Sequence, residues 1–239
     1  MIWVLGFIIG VCLGSFTKVI ADISLTNKSF WGRSYCESCK RNLAWYELFS
    51  VFSFLMFSGK CSHCHKKFCP EYLLLEVLMG LLVAGIFGKI IPPEFLELNL
   101  VSWGVLSLSL LMYLTIVIVL VAVFMTDFKT GYIPDRITYP GIWILFFLQV
   151  TSSVYNTILF YLSLKFSDLG KYLLPGYSGY FYVHALEIAQ PLIYGSLMAL
   201  VLGLFFYLLI ILTRGKGMGG GDLKLAVFLG LAFGFPYSL

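Results

Sequence analysis

The chain has 239 residues, of which 60% are hydrophobic and 12% are charged, and its mean hydropathy is +0.93. A soluble globular domain carries about 25% charged residues. This composition therefore excludes a soluble domain and predicts a protein embedded in a lipid bilayer. The net charge of +4 predicts no nucleic-acid partner, because basic residues at a membrane edge are attracted by anionic lipid.

Continuous apolar stretches, each long enough to cross a bilayer, predict an all-α, polytopic helical membrane protein. A β-barrel would instead show short segments of alternating polarity. The first predicted span, residues 1–23, has no small-x-small cleavage site after it and is taken as a retained helix. The other predicted spans are 72–92, 99–125, 140–164 and 188–213, followed by a sixth that begins near residue 223.

The Lys and Arg residues predict how the chain is oriented. When residues 24–71 are placed inside and Lys18 extends from the first span to that face, all of them except Lys89, Lys165 and Lys171 lie on that side. Positive charge marks the cytoplasmic side of membrane proteins. The segments 24–71, 126–139 and 214–222 are therefore predicted to face the cytoplasm.

Residues 24–71 form a polar insert that contains two CxxC pairs, Cys36 with Cys39 and Cys61 with Cys64. Cytoplasmic thiols stay reduced, and two such pairs complete a tetrahedral Zn²⁺ shell. Four sulfur ligands leave no open position, so the predicted zinc is structural and folds an insert that is too small to build its own core. Two alternatives are four redox thiols, or the replacement of one thiolate by a neighbour, namely His63, His65 or Cys69.

Two aspartates stand at the predicted inner edge of apolar spans. Asp127 follows the span 99–125, and Asp222 follows the glycine run that ends at Gly219, Gly220 and Gly221. The simple alternative is that each aspartate caps a helix. Glycine destabilises a helix by about 1 kcal/mol relative to Ala, so the run predicts unwound backbone that could pair with an extended peptide. Two nearby carboxylates that share a proton can hydrolyse a peptide bond.

Asp135 competes with Asp127 as the first aspartate of such a pair. It follows Ile133 and Pro134 and is expected to begin the next helix. Asp127 is preferred because it follows the longer apolar span directly.

With these motifs in place, the chain resembles the type IV prepilin peptidases, the bifunctional leader peptidase/N-methyltransferases of pilus and type II secretion systems. Gly219 to Asp222, followed by Leu223-Lys224, matches their GxGD signature, in which Gly219 and Gly221 support the aspartate. Asp127 with Pro134 and Asp135 matches their first motif, and the CxxC pairs match their zinc-binding insert. Pro70-Glu71-Tyr72 and Glu76 also fall where family members carry similar residues.

The resemblance implies a substrate, a cofactor and a location. The substrate would be a prepilin-like or pseudopilin-like protein, cut after the Gly that ends a short basic leader on the cytoplasmic face of the inner membrane. The new N-terminal amine would then be methylated from S-adenosylmethionine, with Glu71 and Glu76 as the predicted cofactor contacts. Lys18, Ile23-Ser24-Leu25 and Leu48-Phe49-Ser50 depart from the family pattern, and all three sites lie in the half linked to methylation.

The predicted domains are a first transmembrane helix at 1–23, the zinc insert at 24–71 and the peptidase helices at 72–239. Because relatives continue through further helix, the C-terminus is expected to be truncated. Three alternatives stay open: a peptidase without methyltransferase activity, an ion- or proton-coupled transporter that uses the two aspartates, and a membrane scaffold that docks partners through the zinc insert.

Overall fold

The computed structural model describes residues 1–26, 39, 63–64, 70–92, 99–175, 179–214 and 219–234. Over these ranges the chain is helical, as the apolar pattern predicts, and no strand occurs in them. The α-helices, numbered in chain order, are α1 Ile2–Thr26, α2 Pro70–Ile90, α3 Leu100–Thr130, α4 Asp135–Phe166, α5 Tyr180–Leu212 and α6 Gly220–Phe233, with a 3-10 helix at Gly170–Leu173.

Within these ranges, α1 to α5 are long and apolar enough to cross a bilayer, which confirms a multi-pass helical membrane protein. α6 has 14 residues. Helix α4 begins at Asp135 and not at 140, and α5 begins at Tyr180 and not at 188. Hydropathy marks the apolar part of a helix, whereas α4 also includes Asp135 and Arg136 at its start, and α5 includes His184 and Glu187 before residue 188. Helix α3 likewise continues past residue 125 to Thr130, so Asp127 lies inside it.

The chain forms two compact units. The first comprises Met1–Glu97 with Ile116–Ile137, and the second comprises Leu98–Thr115 with Thr138–Leu239. Asp127, Pro134 and Asp135 belong to the first unit, and Asp222 belongs to the second.

In the first unit, α1 packs closely on α2 through three glycines spaced four residues apart. A Cβ on Gly6 would lie 2.8 Å from the Phe87 Cβ, and one on Gly14 would lie 2.9 Å from the Glu76 Cα. Gly10 makes a similar approach to the Met79 carbonyl oxygen. Small residues at this spacing let two helix backbones approach each other in a membrane. The adjoining core contains Leu75, Met79 and Val121, packed against Leu13, Val117, Ile118 and Met125.

In the second unit, α5 and α6 pack through glycines on both helices. A Cβ on Gly230 would lie 2.6 Å from the Ala199 backbone nitrogen, and one on Gly195 would lie 2.8 Å from the Leu231 carbonyl oxygen. At the start of α3, the Tyr155 hydroxyl donates a hydrogen bond to the Val101 carbonyl at 3.3 Å. The glycine contacts hold the short helix α6, which carries Asp222, against α5.

The predicted zinc insert, residues 24–71, lies mostly outside the described residues. Of this segment the structure describes 24–26, which continue α1, then Cys39, His63 and Cys64, and residues 70–71 at the start of α2.

Candidate active site

Asp127 lies in the last turn of α3, and its side chain is exposed. The helix ends in a left-handed glycine: Gly131 has φ +64° and donates its N–H to the Asp127 carbonyl at 2.7 Å. Such a left-handed residue closes a helix by satisfying one of its last carbonyls. Two residues after Asp127, the Lys129 ammonium lies 3.5 Å from the Asp22 carboxylate on α1. The turn that carries Asp127 is thus joined to the end of α1.

Helix capping does not account for Asp127. Aspartate is a favourable cap at the N-terminus of a helix, where the dipole is positive. Asp127 is at the opposite end, where the partial charge is negative and a carboxylate is disfavoured. The residue stands where it costs helix stability, which favours a chemical role for it.

Asp135 is the first residue of α4 and is exposed, as expected of a residue that begins a helix. Pro134 before it is buried, and the Pro134 carbonyl accepts a hydrogen bond from the Ile137 N–H at 3.1 Å. An acid in the first turn complements the helix dipole. The start of a helix therefore explains why an acid stands at position 135. The same explanation does not apply to Asp127, which lies at a helix end.

Asp222 is the third residue of α6 and its side chain is exposed. Gly219 precedes the helix with extended backbone and donates its N–H to Asp222 Oδ2 at 3.3 Å. The Asp222 N–H donates in return to the Gly219 carbonyl at 3.2 Å. Asp222 therefore does help to begin its helix, from the N3 position of a capping arrangement.

The expectation of an unwound glycine run is wrong for Gly220 and Gly221, which form the first turn of α6. Gly219 alone of the described glycines before Asp222 is extended, and Gly217 lies outside the described residues. The N–H groups of a first helical turn have no acceptor within the helix. Helical glycines at this position therefore still present backbone donors beside Asp222.

Within the second unit, α4 and α6 are in contact near their N-terminal ends. The Lys224 ammonium, two residues after Asp222, lies over the Tyr139 ring at 5.0 Å from its centroid. Tyr139 stands four residues after Asp135 on α4. A cation over an aromatic face is an attractive contact, and here it joins the helix that follows the first aspartate motif to the helix that contains the second.

An apolar groove of about 620 Å³ runs beside α6. On α6 it is lined by Leu223, Val227 and Leu231, which follow Asp222 at successive turns of one helix face. The facing wall comes from α4 and α5, and includes Trp143, Phe146, Leu200, Leu204 and Tyr207.

The predicted cofactor residues lie on α2. Glu76 is buried, with 1% of its surface exposed, and Gly14 of α1 packs directly against it. Glu71 lies in the first turn of α2, and its side chain is outside the described part. Their assignment to S-adenosylmethionine stays a prediction.

Of the four predicted zinc ligands, Cys39 and Cys64 are described and are half-buried, whereas Cys36 and Cys61 are not described. Among the described residues no cluster of His, Cys, Asp or Glu that could hold a metal is present. The zinc site also stays a prediction, carried by the spacing of the four thiols.

Two features of the packing were missed from the sequence. One is the four-residue glycine repeat of α1, which was available as a small-xxx-small pattern. The other is Gln149 on α4, which is buried and donates to the Leu231 carbonyl at 2.7 Å. Its signal was a polar side chain within an apolar span.

The fold is that of a multi-pass helical membrane protein, with a candidate catalytic aspartate at an end of each of two helices. Family comparison agrees: residues 8–90 match the bacterial peptidase A24 N-terminal domain, and residues 114–239 match the type IV leader peptidase family. The second match covers more than half of the chain. The chain belongs to the type IV leader peptidase family.

Among curated proteins, the chain is similar to several named prepilin leader peptidase/N-methyltransferase. It is 25% identical to the one from Vibrio cholerae, over 96% of this chain and 77% of the relative. It is 27% identical to one from Aeromonas hydrophila, over 85% of this chain and 54% of the relative. It is 32% identical to one from Myxococcus xanthus, over 56% of this chain and 36% of the relative. The chain thus spans about half the length of the Aeromonas relative and about a third of the Myxococcus relative. No solved structure matches the chain.

Proposed function

We propose that this protein is an intramembrane aspartyl peptidase that removes the leader of a prepilin-like or pseudopilin-like protein, with Asp127 and Asp222 as its two catalytic residues. The observation that carries the proposal is the position of Asp127. It is exposed in the last turn of α3, where a carboxylate opposes the helix dipole. Family membership and the names of the relatives supply the substrate class.

The convergence of the two aspartates is part of the proposal. Membership of the leader peptidase family supports it, because the match over residues 114–239 includes both aspartates. Both aspartates also belong to segments predicted to be cytoplasmic from the distribution of Lys and Arg. Cleavage would therefore occur at the cytoplasmic face of the inner membrane.

The proposed reaction is general acid–base hydrolysis. One carboxylate takes a proton from water, whose oxygen attacks the scissile carbonyl carbon, while the other, protonated carboxyl donates to the carbonyl oxygen. The C–N bond then breaks and the leaving nitrogen takes a proton. Asp127 and Asp222 together supply this base and this acid. First-turn amides at Gly220 and Gly221 would bind substrate carbonyls.

The apolar groove beside α6 is proposed to receive the apolar helix of the substrate. Its lining residues Leu223, Val227 and Leu231 continue directly from Asp222, so a chain cut beside this carboxylate would enter the groove as it returns to the bilayer. The groove lies in a bilayer-spanning part of the chain, and its apolar lining is suited to contact an apolar helix.

Filling the groove should weaken substrate binding more than it slows the chemical step. For Leu204→Trp we expect KM for leader cleavage to rise about tenfold with little change in kcat, which corresponds to roughly 1.4 kcal/mol of lost binding. Leu208→Trp is the matched control, because Leu208 is similarly exposed on α5 and does not line the groove. Equal kinetics for both variants and the unmodified protein would contradict this substrate position.

Methylation of the new N-terminus is proposed as the second activity. The N-terminal family match and the names of the relatives support it. S-adenosylmethionine would supply the methyl group, and Glu71 and Glu76 are the proposed contacts. The proposed structural zinc would be held by Cys36, Cys39, Cys61 and Cys64, whose four thiols form a donor set that suits Zn²⁺.

The proposed function is tested by incubating the purified protein with a prepilin and S-adenosylmethionine and then reading the mass and N-terminus of the product. We expect a shortened protein that begins after the leader's last Gly and carries one added methyl group. A serine-directed reagent should leave cleavage intact, because no serine nucleophile takes part. An unchanged prepilin would contradict the peptidase assignment.

A further inference from the structure

Gln149 donates a hydrogen bond to a backbone carbonyl at the C-terminal end of helix α6. Its side chain, on α4, is 5% exposed, and Nε2 donates to the Leu231 carbonyl at 2.7 Å. Leu231 lies in the last turn of α6, where carbonyls have no donor within the helix. The Gly234 N–H satisfies the Gly230 carbonyl instead. Gln149 therefore supplies a donor to a carbonyl at the end of the helix that carries Asp222.

The surrounding backbone leaves room for this contact. A Cβ on Gly195 of α5 would lie 2.8 Å from the Leu231 oxygen and 3.5 Å from Gln149 Oε1. Gly230 allows the same end of α6 to lie against Ala199. The C-terminal end of α6 is thus held between α4 and α5 at one position along its helix axis.

Stability alone does not explain the glutamine. Gln149 Oε1 is buried and has no hydrogen-bond partner among the described residues. Leaving a buried acceptor unsatisfied costs as much as, or more than, the net gain of one hydrogen bond. An apolar side chain of similar size would avoid this cost but would leave the Leu231 carbonyl without this donor, so the contribution that the structure shows for the amide is this one contact.

We infer that Gln149 is a positioning residue for Asp222, which acts by fixing the axial position of α6 through the Leu231 carbonyl. The inference rests on the proposed function, in which Asp222 is catalytic. Because Asp222 and Leu231 lie on one continuous helix of 14 residues, a rigid axial shift of that helix at Leu231 would displace Asp222 by the same distance. Near its N-terminal end α6 also contacts α4 through Lys224 and Tyr139, and at its C-terminal end the Gln149 hydrogen bond adds a restraint along the helix axis. Misplacement of a reacting group by about 1 Å can cost 10²-fold in rate.

Two variants separate positioning from packing. Gln149→Leu keeps the volume and removes the donor, and we expect kcat for leader cleavage to fall about 10- to 100-fold with KM changed less than about twofold. Gln149→Glu introduces a carboxylic acid that donates only while it is protonated. Cleavage by this variant should therefore fall more steeply with rising pH than cleavage by the unmodified protein. Asn156→Leu is the matched control, since Asn156 is a half-buried polar residue of α4 whose bond stays within that helix.

The outcomes distinguish this inference from the proposed function. Cleavage by an Asp222→Asn variant would remove the proposed function and the inference together. If Asp222→Asn is inactive and folded Gln149→Leu keeps the original kcat, the positioning role alone is wrong. It is also wrong if Gln149→Glu shows the pH profile of the unmodified protein, or if Asn156→Leu loses as much activity as Gln149→Leu. If Gln149→Leu does not fold, the pH profile of Gln149→Glu decides.

Discussion

Replacing Asp222 with Asn should abolish leader cleavage while the chain still inserts and folds. Asparagine keeps a side-chain oxygen that can accept from the Gly219 N–H, which in the structure bonds Asp222 Oδ2 at 3.3 Å. The variant therefore preserves the helix start and removes the group that exchanges a proton. Loss of general acid–base catalysis should lower the rate by at least about 10²–10⁴-fold. The measurement is the rate of prepilin shortening, with helix content recorded by circular dichroism.

Asp127→Asn should be as inactive as Asp222→Asn, and the double variant should be little worse than either single one, because residues that act as a unit lose their effect together. Asp135→Asn is the comparison: Asp135 is exposed in the first turn of α4, and its replacement should reduce cleavage far less. Normal cleavage by folded Asp127→Asn together with an inactive Asp135→Asn would show that Asp135 is the first catalytic aspartate.

Replacing any one of Cys36, Cys39, Cys61 or Cys64 with Ser should release zinc and reduce methylation more than cleavage. Four thiolates close a structural site, and the loss of one opens it. Because metal binding and folding are coupled in small domains, residues 24–71 should loosen and become sensitive to protease. Metal analysis of protein purified without chelator should give one Zn²⁺ per chain before substitution.

Cys12→Ser is the matched control for these cysteine variants. Cys12 is exposed on α1, outside the insert, and its replacement should leave both the zinc content and the methylation unchanged. Absence of zinc from the unmodified protein would overturn the metal site. A loss of zinc from Cys12→Ser equal to that from Cys36→Ser would show that the CxxC pairs are not the ligands.

The helical membrane fold could be predicted because bilayer thickness demands long apolar runs, which hydropathy detects. Helix ends were harder to predict from the sequence, since a polar first turn such as that of α4 carries no apolar signal. Gly220 and Gly221 were expected to be unwound from propensity alone. The apolar residues that follow, including buried Phe228 and Leu231, stabilise α6 by packing, and packing overrides a weak local preference.

The candidate site was predictable in part. The sequence indicated both aspartates from their places at the ends of apolar runs, but it could not show that Asp127 opposes a helix dipole, because that depended on where α3 ends. Gln149 was visible as a polar residue in an apolar span. Its partner is a backbone carbonyl 82 residues away in the chain, and no sequence pattern specifies such a contact.

The central claim is that Asp127 and Asp222 act on one water at a single centre. The most direct measurement is the distance between their carboxylate oxygens in an experimental structure with an uncleavable prepilin peptide bound. The bound state matters, because catalytic contacts often tighten only in the complex. We expect both carboxylates to lie within hydrogen-bond distance of one water, at roughly 3 Å each, beside the scissile carbonyl. Carboxylates too far apart for any single water to contact both would contradict the account.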